Sequence, residues 1–306
     1  MAGSQDYAVD PRNERVLIYL NGDLLPRDEA KVSIFDAGFV LGDGVWEGLR
    51  LHRGGLVFLE QHLDRLYWGA KQIALDIGLT RDEIKAALWR TLDANQMSDG
   101  VHLRLMVTRG PKQTVNQDPR NALGTPTVVI IAEHKLPSPA LMQQGLALAT
   151  SSIRCTPKHM FDMRLNSHSR LNLIRALIEV IDQGADEALM LDPDGFVSSC
   201  NATNFFFVRD GVLCTSTGEF CFNGVTRGNV IALAQENGLA LQLANFTLED
   251  VHAAQEAFVT GTFGGITPVR SIDGQVLPAS LPGPITQQMC ALYDALKDVE
   301  ALKWRR

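Results

Sequence analysis

The sequence predicts an α+β protein of two lobes, and three observations carry that reading. Apolar residues alternate with polar ones in some stretches and recur at helical spacing in others, so strands and helices are mixed. At 306 residues the chain can fill more than one core. Pro137-Ser138-Pro139 is the best linker signal in it. The expected division is a smaller N-terminal α/β lobe over 1–136, a linker over 137–145, and a larger C-terminal lobe over 146–306.

Val16 to Leu20 reads as a strand entering the hairpin turn Asn21-Gly22-Asp23, with Leu24 and Leu25 returning. Phe35 to Arg50 is punctuated by glycines and resumes as a strand at Val45; glycines in such a place suggest close backbone approach. Leu59, Leu63, Leu66, Tyr67, Ala70, Ile73 and Ala74 have the spacing of an amphipathic helix that Gly78 stops. Thr80-Arg81-Asp82-Glu83 is a capping box for the next helix. His102 to Gly110 alternates like a strand and Thr127 to Ala132 reads as a buried one, with the polar loop Pro111 to Thr125 between them a candidate lid. Beyond the linker, strands are expected at Leu146–Thr150, Glu187–Leu191, Phe196–Val197 and Asn204–Val208, and helices at Arg170–Gln183 and Pro284–Val299.

Hydrophobic residues make up 45% of the chain and charged ones 21%, as in an ordinary globular protein. A net charge of −7 without any Lys/Arg cluster argues against a nucleic-acid partner. No apolar run reaches membrane-spanning length. The start Met1-Ala2-Gly3-Ser4-Gln5-Asp6 lacks the features of a signal peptide. Five cysteines, an odd number without metal-ligand spacing, suggest reduced thiols in a cytoplasm and no metal site.

Two turns point to chemistry. In Asn223-Gly224-Val225-Thr226-Arg227-Gly228 the glycines frame a hydroxyl just before an apolar-periodic run, so the stretch reads as a helix start capped by Thr226. Unpaired N–H groups at such a start favour an anion such as phosphate. Thr260-Gly261-Thr262-Phe263-Gly264-Gly265 follows an apolar strand and would expose further N–H groups in a concave nest. Together they suggest one phosphate held from two sides; singly, each also reads as an ordinary capped helix or a glycine-rich turn.

These motifs carry a family resemblance. Gly42-Asp43-Gly44-Val45-Trp46-Glu47 with Arg50, Asp194-Gly195-Phe196-Val197-Ser198 leading to Asn204-Phe205-Phe206, Gly224-Val225-Thr226-Arg227, and Gly261-Thr262 with Ile266-Thr267-Pro268-Val269 resemble the fold-type IV PLP enzymes. That family includes branched-chain and D-amino-acid aminotransferases and aminodeoxychorismate lyase. The resemblance implies their two-lobed fold and a bound pyridoxal 5'-phosphate (PLP) or pyridoxamine 5'-phosphate (PMP). Its phosphate would be held by the Arg50 side chain, by Val225 and Thr226, and by Thr262. It further implies that backbone near Thr262-Phe263 meets a substrate carboxylate, and that Arg104 and the loop after Arg109 line the substrate side. Arg104 reads almost equally well as a strand arginine facing solvent. The implied reaction is amino-group transfer between a small amino acid and a 2-oxo acid, in a homodimer with its sites at the interface.

The chain departs from that family at two positions. Amino-group transfer uses a lysine to form the Schiff base and carry a proton. Counting from either side places it at Asn166, and a two-residue slip at Arg164; neither side chain can do this. The nearest lysine is Lys158. The family's glutamate at the pyridine nitrogen falls on Ser199, which can hydrogen-bond to the ring but not keep it protonated. His168, close to the expected lysine, could move a proton from a cofactor bound without a covalent link, although it also reads as a surface or capping residue. A silent or lysine-independent homologue with a binding or regulatory role, and a PLP lyase or racemase, are the competing readings.

Overall fold

The computed structural model describes residues 3–305; Met1 and Ala2, the beginning of the run read above for targeting features, lie outside the described residues. The chain divides into two compact units, each with its own sheet. Among the described residues the N-terminal unit comprises Val9–Leu136, Leu165–Arg170 and 297–305, and the C-terminal unit 3–8, Pro137–Arg164 and Leu171–Leu296. A unit boundary lies at Leu136/Pro137. Residues 137–145 are no free linker, since they contain a helix, and 165–170 belong with the first unit through hydrogen bonds to a strand over a hundred residues earlier.

In the N-terminal unit the order is β1 (Leu17–Leu20), β2 (Asp23–Pro26), α1 (Ala37–Leu41), β3 (Gly44–His52), β4 (Gly55–Val57), α2 (Leu59–Gln72), α3 (Arg81–Ala94), β5 (Val101–Thr108) and β6 (Thr127–His134). They form a six-stranded sheet in the order β2-β1-β6-β5-β3-β4, antiparallel at each pairing. The Asn21-Gly22 turn joins β1 to β2 with Leu20 opposite Asp23. Along β5 burial alternates strictly: Val101, Leu103, Leu105 and Val107 join the core with Leu63 and Leu66 of α2 and Leu88 and Leu92 of α3. The same alternation puts His102, Arg104 and Met106 on the opposite face, paired with Arg50, Gly48 and Trp46 of β3.

Local chemistry sets the helix ends. Thr80 and Glu83 make the reciprocal capping box at the start of α3. Asp36 caps α1, a short helix the glycine-rich stretch did not suggest, by accepting from Gly38 N–H at 2.8 Å. α2 stops at Gln72, short of the Ile77 that the periodicity implies: Ala74 takes a φ of +49°, and Leu75 N–H closes onto the Ala70 carbonyl at 2.9 Å. That backbone costs about 1–2 kcal/mol, offset by the burial of Leu75 and Ile77 in the core.

The C-terminal unit holds α4 (Ala140–Gln144), β7 (Leu146–Thr150), α5 (Leu171–Ile181), β8 (Glu187–Leu191), β9 (Val197–Cys200), β10 (Asn204–Arg209), β11 (Val212–Thr215), α6 (Val225–Glu236), β12 (Leu241–Leu243), α7 (Leu248–His252), β13 (Glu256–Gly261), β14 (Gly265–Ile272) and β15 (Gln275–Val276). The first part of α8 (Pro284–Lys303) completes it. Its sheet runs β12-β11-β10-β13-β14-β7-β8-β9, with β15 on β14. Pairing is parallel at β14-β7, β7-β8 and β11-β12 and antiparallel elsewhere, which makes the unit α+β as expected. Phe205, Phe207 and Phe246 pack with Leu146, Leu148 and Leu189 in its core.

Candidate active-site residues

In the N-terminal unit the candidate residues gather round Trp46. Residues 165–170 extend the sheet along the edge of β3: Trp46 N–H donates to the Asn166 carbonyl at 2.9 Å, His168 N–H to the Gly44 carbonyl at 3.1 Å, and Val45 bridges to Ser167. The Asn166 side-chain amide donates to the Trp46 carbonyl at 2.6 Å and its Oδ1 accepts from Arg170. The Trp46 indole N–H is fixed on the Ser167 carbonyl at 3.1 Å. Gly44 has to be glycine, because a Cβ there would stand 2.5 Å from the Val107 carbonyl oxygen and 2.7 Å from the His168 ring.

Two guanidinium groups lie over this indole, Arg104 at 3.7 Å and Arg170 at 5.7 Å from the ring centroid. Arg104 makes no hydrogen bond or ion pair among the described residues, so its donors are available to an anion. Burial draws the Arg170 pKa down to about 10, with Arg65 and Arg104 adding to the shift. The nearest carboxylate is already engaged. Glu47, fully buried, accepts from Arg65 at 2.6 Å and meets His62 at 2.7 Å; those partners outweigh burial and hold it below the ordinary carboxylate value.

His168 has a buried Nε2 without a partner. Burial lowers its pKa first and Arg104 second, against a hydrogen bond to the Val45 backbone, so the ring is neutral near pH 7 and Nε2 can accept a proton. Arg50 lies on the same sheet face, and its Nη1 donates to the Lys135 carbonyl at 2.7 Å. Lys135 escaped the sequence reading because nothing in its neighbours marks it; only the sheet brings it beside Arg50.

The C-terminal unit carries the other candidates. α6 begins at Val225 with Gly224, not Thr226, as its N-cap, and no side chain caps it. Thr226 sits inside the first turn, where its hydroxyl is 3.2 Å from the Tyr293 hydroxyl. Asn204 fixes this start: its Oδ1 accepts from Gly224 N–H at 3.2 Å and its Nδ2 donates to the Phe222 carbonyl at 2.6 Å. A Cβ at Gly224 would lie 2.4 Å from Asn204 Oδ1. The first-turn N–H groups of this twelve-residue helix carry no side-chain cap.

Thr262 and Phe263 occupy the turn between β13 and β14, where Gly261 pairs with Gly265. The stretch is a tight hairpin rather than an open nest, and the Phe263 side chain is buried. Ser199 is tied to the same network as the helix start. Its hydroxyl donates to the Thr203 carbonyl at 2.8 Å and lies 3.3 Å from Asn204 Nδ2. Arg164 does not stand in for a lysine: it pairs with Asp162 at 2.6 Å. Lys158 is exposed in a turn closed by Met160 N–H on the Pro157 carbonyl. Among the described residues no group of His, Cys, Asp and Glu side chains could hold a metal ion, and no helix is long and apolar enough to cross a membrane.

The chain thus carries two sheets, a helix start at Gly224 and a basic sheet face round Trp46. The amino-transferase class IV family matches residues 44–272, and the chain belongs to that family. It is 39% identical over 289 residues to branched-chain-amino-acid aminotransferase-like protein 1 of Arabidopsis thaliana, covering 94% of this chain and 52% of that protein. The chain thus spans about half the length of that relative. A putative branched-chain-amino-acid aminotransferase of Methanocaldococcus jannaschii is also 39% identical, over 94% of this chain and 97% of its own length. Among solved structures, the branched-chain aminotransferase of Thermoproteus uzoniensis with norvaline superposes with a TM-score of 0.84 at 32% identity, covering 95% of this chain and 98% of that one. The branched-chain amino acid aminotransferase of Thermobaculum terrenum in its PLP-form superposes with a TM-score of 0.83 at 26% identity, over 96% of this chain and 97% of that one. The fold is that of the fold-type IV aminotransferases, as the motifs led us to expect.

Proposed function

We propose that the chain binds pyridoxal 5'-phosphate, or its pyridoxamine form, by the phosphate and moves an amino group between a small amino acid, the branched-chain ones included, and a 2-oxo acid. The observation that carries this reading is the α6 start: an uncapped first turn behind Gly224, locked by Asn204, inside the segment that matches the class IV family. Val225, Thr226 and Thr262, and separately Arg50, are the residues we assign to the phosphate. When bound, the cofactor carries the amino group and withdraws electrons from the substrate Cα.

The chain's own residues supply the rest. Arg104, stacked on Trp46 and free of other partners, takes the substrate carboxylate, and the backbone at Phe263 lies on the substrate side. His168 Nε2, neutral and unpartnered, would take the proton from the substrate Cα and deliver it to the cofactor carbon next to the transferred nitrogen. Asn166 is a positioning residue that holds Arg170 and Trp46 and forms no covalent link. Ser199 gives the ring nitrogen no carboxylate, so the electron sink is weaker than with a glutamate there.

The same two departures favour a second reading, a cofactor-binding protein without turnover or a lyase or racemase. A titration of PLP separates these from a protein that binds no cofactor: Arg50→Ala should weaken binding, and unchanged affinity would sink the phosphate assignment. His168→Ala then separates the two cofactor-binding readings, since it abolishes amino transfer only if transfer occurs.

Two copies are expected to associate. Leu171, Ile174, Ile178 and Ile181 are exposed along α5, and their spacing is symmetric, so an antiparallel second α5 would set Leu171 against Ile181 and Ile174 against Ile178. Five free cysteines fit a reducing compartment such as the cytoplasm.

A further inference from the structure

We propose that Glu187 is a positioning residue for the cofactor phosphate, holding in place both turns of the C-terminal unit assigned to it, the α6 start and the β13–β14 hairpin. This rests on the reading that the chain binds pyridoxal 5'-phosphate.

Glu187 opens β8 and is buried, and its two oxygens are divided between segments far apart in the chain. Oε1 accepts from the Ser4 hydroxyl and Oε2 from Thr203 Oγ1 at 2.6 Å. Ser4 and Thr203 are buried too. Inside the protein, a hydroxyl that lost this partner would go unsatisfied, so the carboxyl fixes two positions at once.

Thr203 leads to the first turn. Its carbonyl takes the Ser199 hydroxyl at 2.8 Å and the Cys200 N–H at 3.0 Å. The next residue is Asn204, which locks Gly224 and Phe222 at the start of α6.

Both partners also lie against the second turn. A Cβ at Gly261 would stand 3.5 Å from Thr203 Cγ2, and one at Gly264 would stand 3.6 Å from the Ser4 carbonyl oxygen. Those two glycines bracket Thr262 and Phe263. The segments that Glu187 draws together therefore meet the hairpin turn at both of its ends.

The charge of Glu187 matters for an anion site. Burial pushes its carboxyl up to about 7, against the Thr203 hydrogen bond and with Asp186 adding to the rise. Asp186 is paired with Arg270 at 3.3 Å, and burial together with Glu187 keeps the Cys200 thiol of β9 neutral. Ionisation as pH rises through 7 places a buried negative charge beside turns that receive phosphate, which weakens its binding.

The test measures PLP binding to the full chain by equilibrium dialysis from about pH 6.5 to about pH 8.5. Circular dichroism confirms the fold at each point, and pyridoxal, which has no phosphate, is the control. The wild-type dissociation constant should rise about 10-fold across this range, and Glu187→Gln should match the wild type at the acid end and stay level. Thr203→Val should weaken PLP about 10-fold at every pH and leave pyridoxal unchanged. A constant that ignores pH and is unmoved in Thr203→Val would show that Glu187 serves stability alone, which overturns the proposal. A pH dependence that persists in Glu187→Gln, or is equal for pyridoxal, overturns it too, while the cofactor reading stands. No PLP binding by the wild type overturns both. The wild-type profiles for PLP and pyridoxal decide the matter where a variant fails to fold.

Discussion

Asn166 and Trp46 hold each other through two hydrogen bonds, the asparagine amide on the Trp46 carbonyl at 2.6 Å and the Trp46 N–H on the Asn166 carbonyl at 2.9 Å. The residue that stands where the family's lysine is expected therefore works as part of the sheet. Its remaining oxygen receives Arg170, so one small side chain ties the Trp46 backbone to a buried cation.

Asn166→Ala should destabilise the chain by about 1–3 kcal/mol, since it strips the Trp46 carbonyl of a donor and the Arg170 guanidinium of an acceptor inside the protein. Urea denaturation checks this. A change below a few tenths of a kcal/mol would show that the pair does not hold the edge of β3.

Arg50→Ala should raise the dissociation constant for PLP about 10- to 100-fold, the loss of one charge-assisted contact to phosphate. Thr226→Val should weaken binding less, because the backbone N–H groups of α6 remain. Dialysis against pyridoxal, which has no phosphate, provides the control: neither substitution should alter it.

His168→Ala should slow amino transfer by roughly 10²–10⁴, the usual weight of a general base, with PLP affinity unchanged. Single-turnover spectroscopy separates the two effects. Equal losses in binding and rate would mean that His168 only shapes the site.

Glu187 should make stability depend on pH. Burial pushes its carboxyl up to about 7, against the hydrogen bond from Thr203 and together with Asp186; Ser4 bonds to it as well. A carboxyl raised in the fold supports folding fully below its unfolded value near 4.5, and that support is lost as pH rises towards 7. The loss is about 3 kcal/mol over that window. Glu187→Gln should flatten this part of the stability profile, measured by denaturation at a series of pH values.

Ile178→Asp should convert a dimer to a monomer in sedimentation without loss of helix content, because the side chain is exposed on α5. A variant that remains dimeric would place the interface elsewhere.

Much of this architecture was legible because its causes are local. The Thr80/Glu83 capping box, the Asn21-Gly22 hairpin and the alternation of β5 each follow from a few adjacent residues. The helix start at Gly224 was legible too, but its cap was not, since whether Thr226 faces its own helix end or Tyr293 depends on packing. The ends of α1 and α2 turn on single backbone angles, at Gly42 and Ala74, which periodicity does not reveal. Least legible was the surrounding of Trp46. Arg104, Asn166, His168 and Arg170 lie on two segments separated by over sixty residues, and their meeting depends on 165–170 joining the edge of β3.

The central claim is that this class IV chain still moves an amino group without a lysine at position 166. The most direct measurement loads the protein with pyridoxamine 5'-phosphate, mixes it with a branched-chain 2-oxo acid, and follows the cofactor spectrum while the products are quantified. Conversion to pyridoxal 5'-phosphate with an equal amount of amino acid formed is the predicted result. Cofactor that stays bound and unconverted at saturating oxo acid would contradict it.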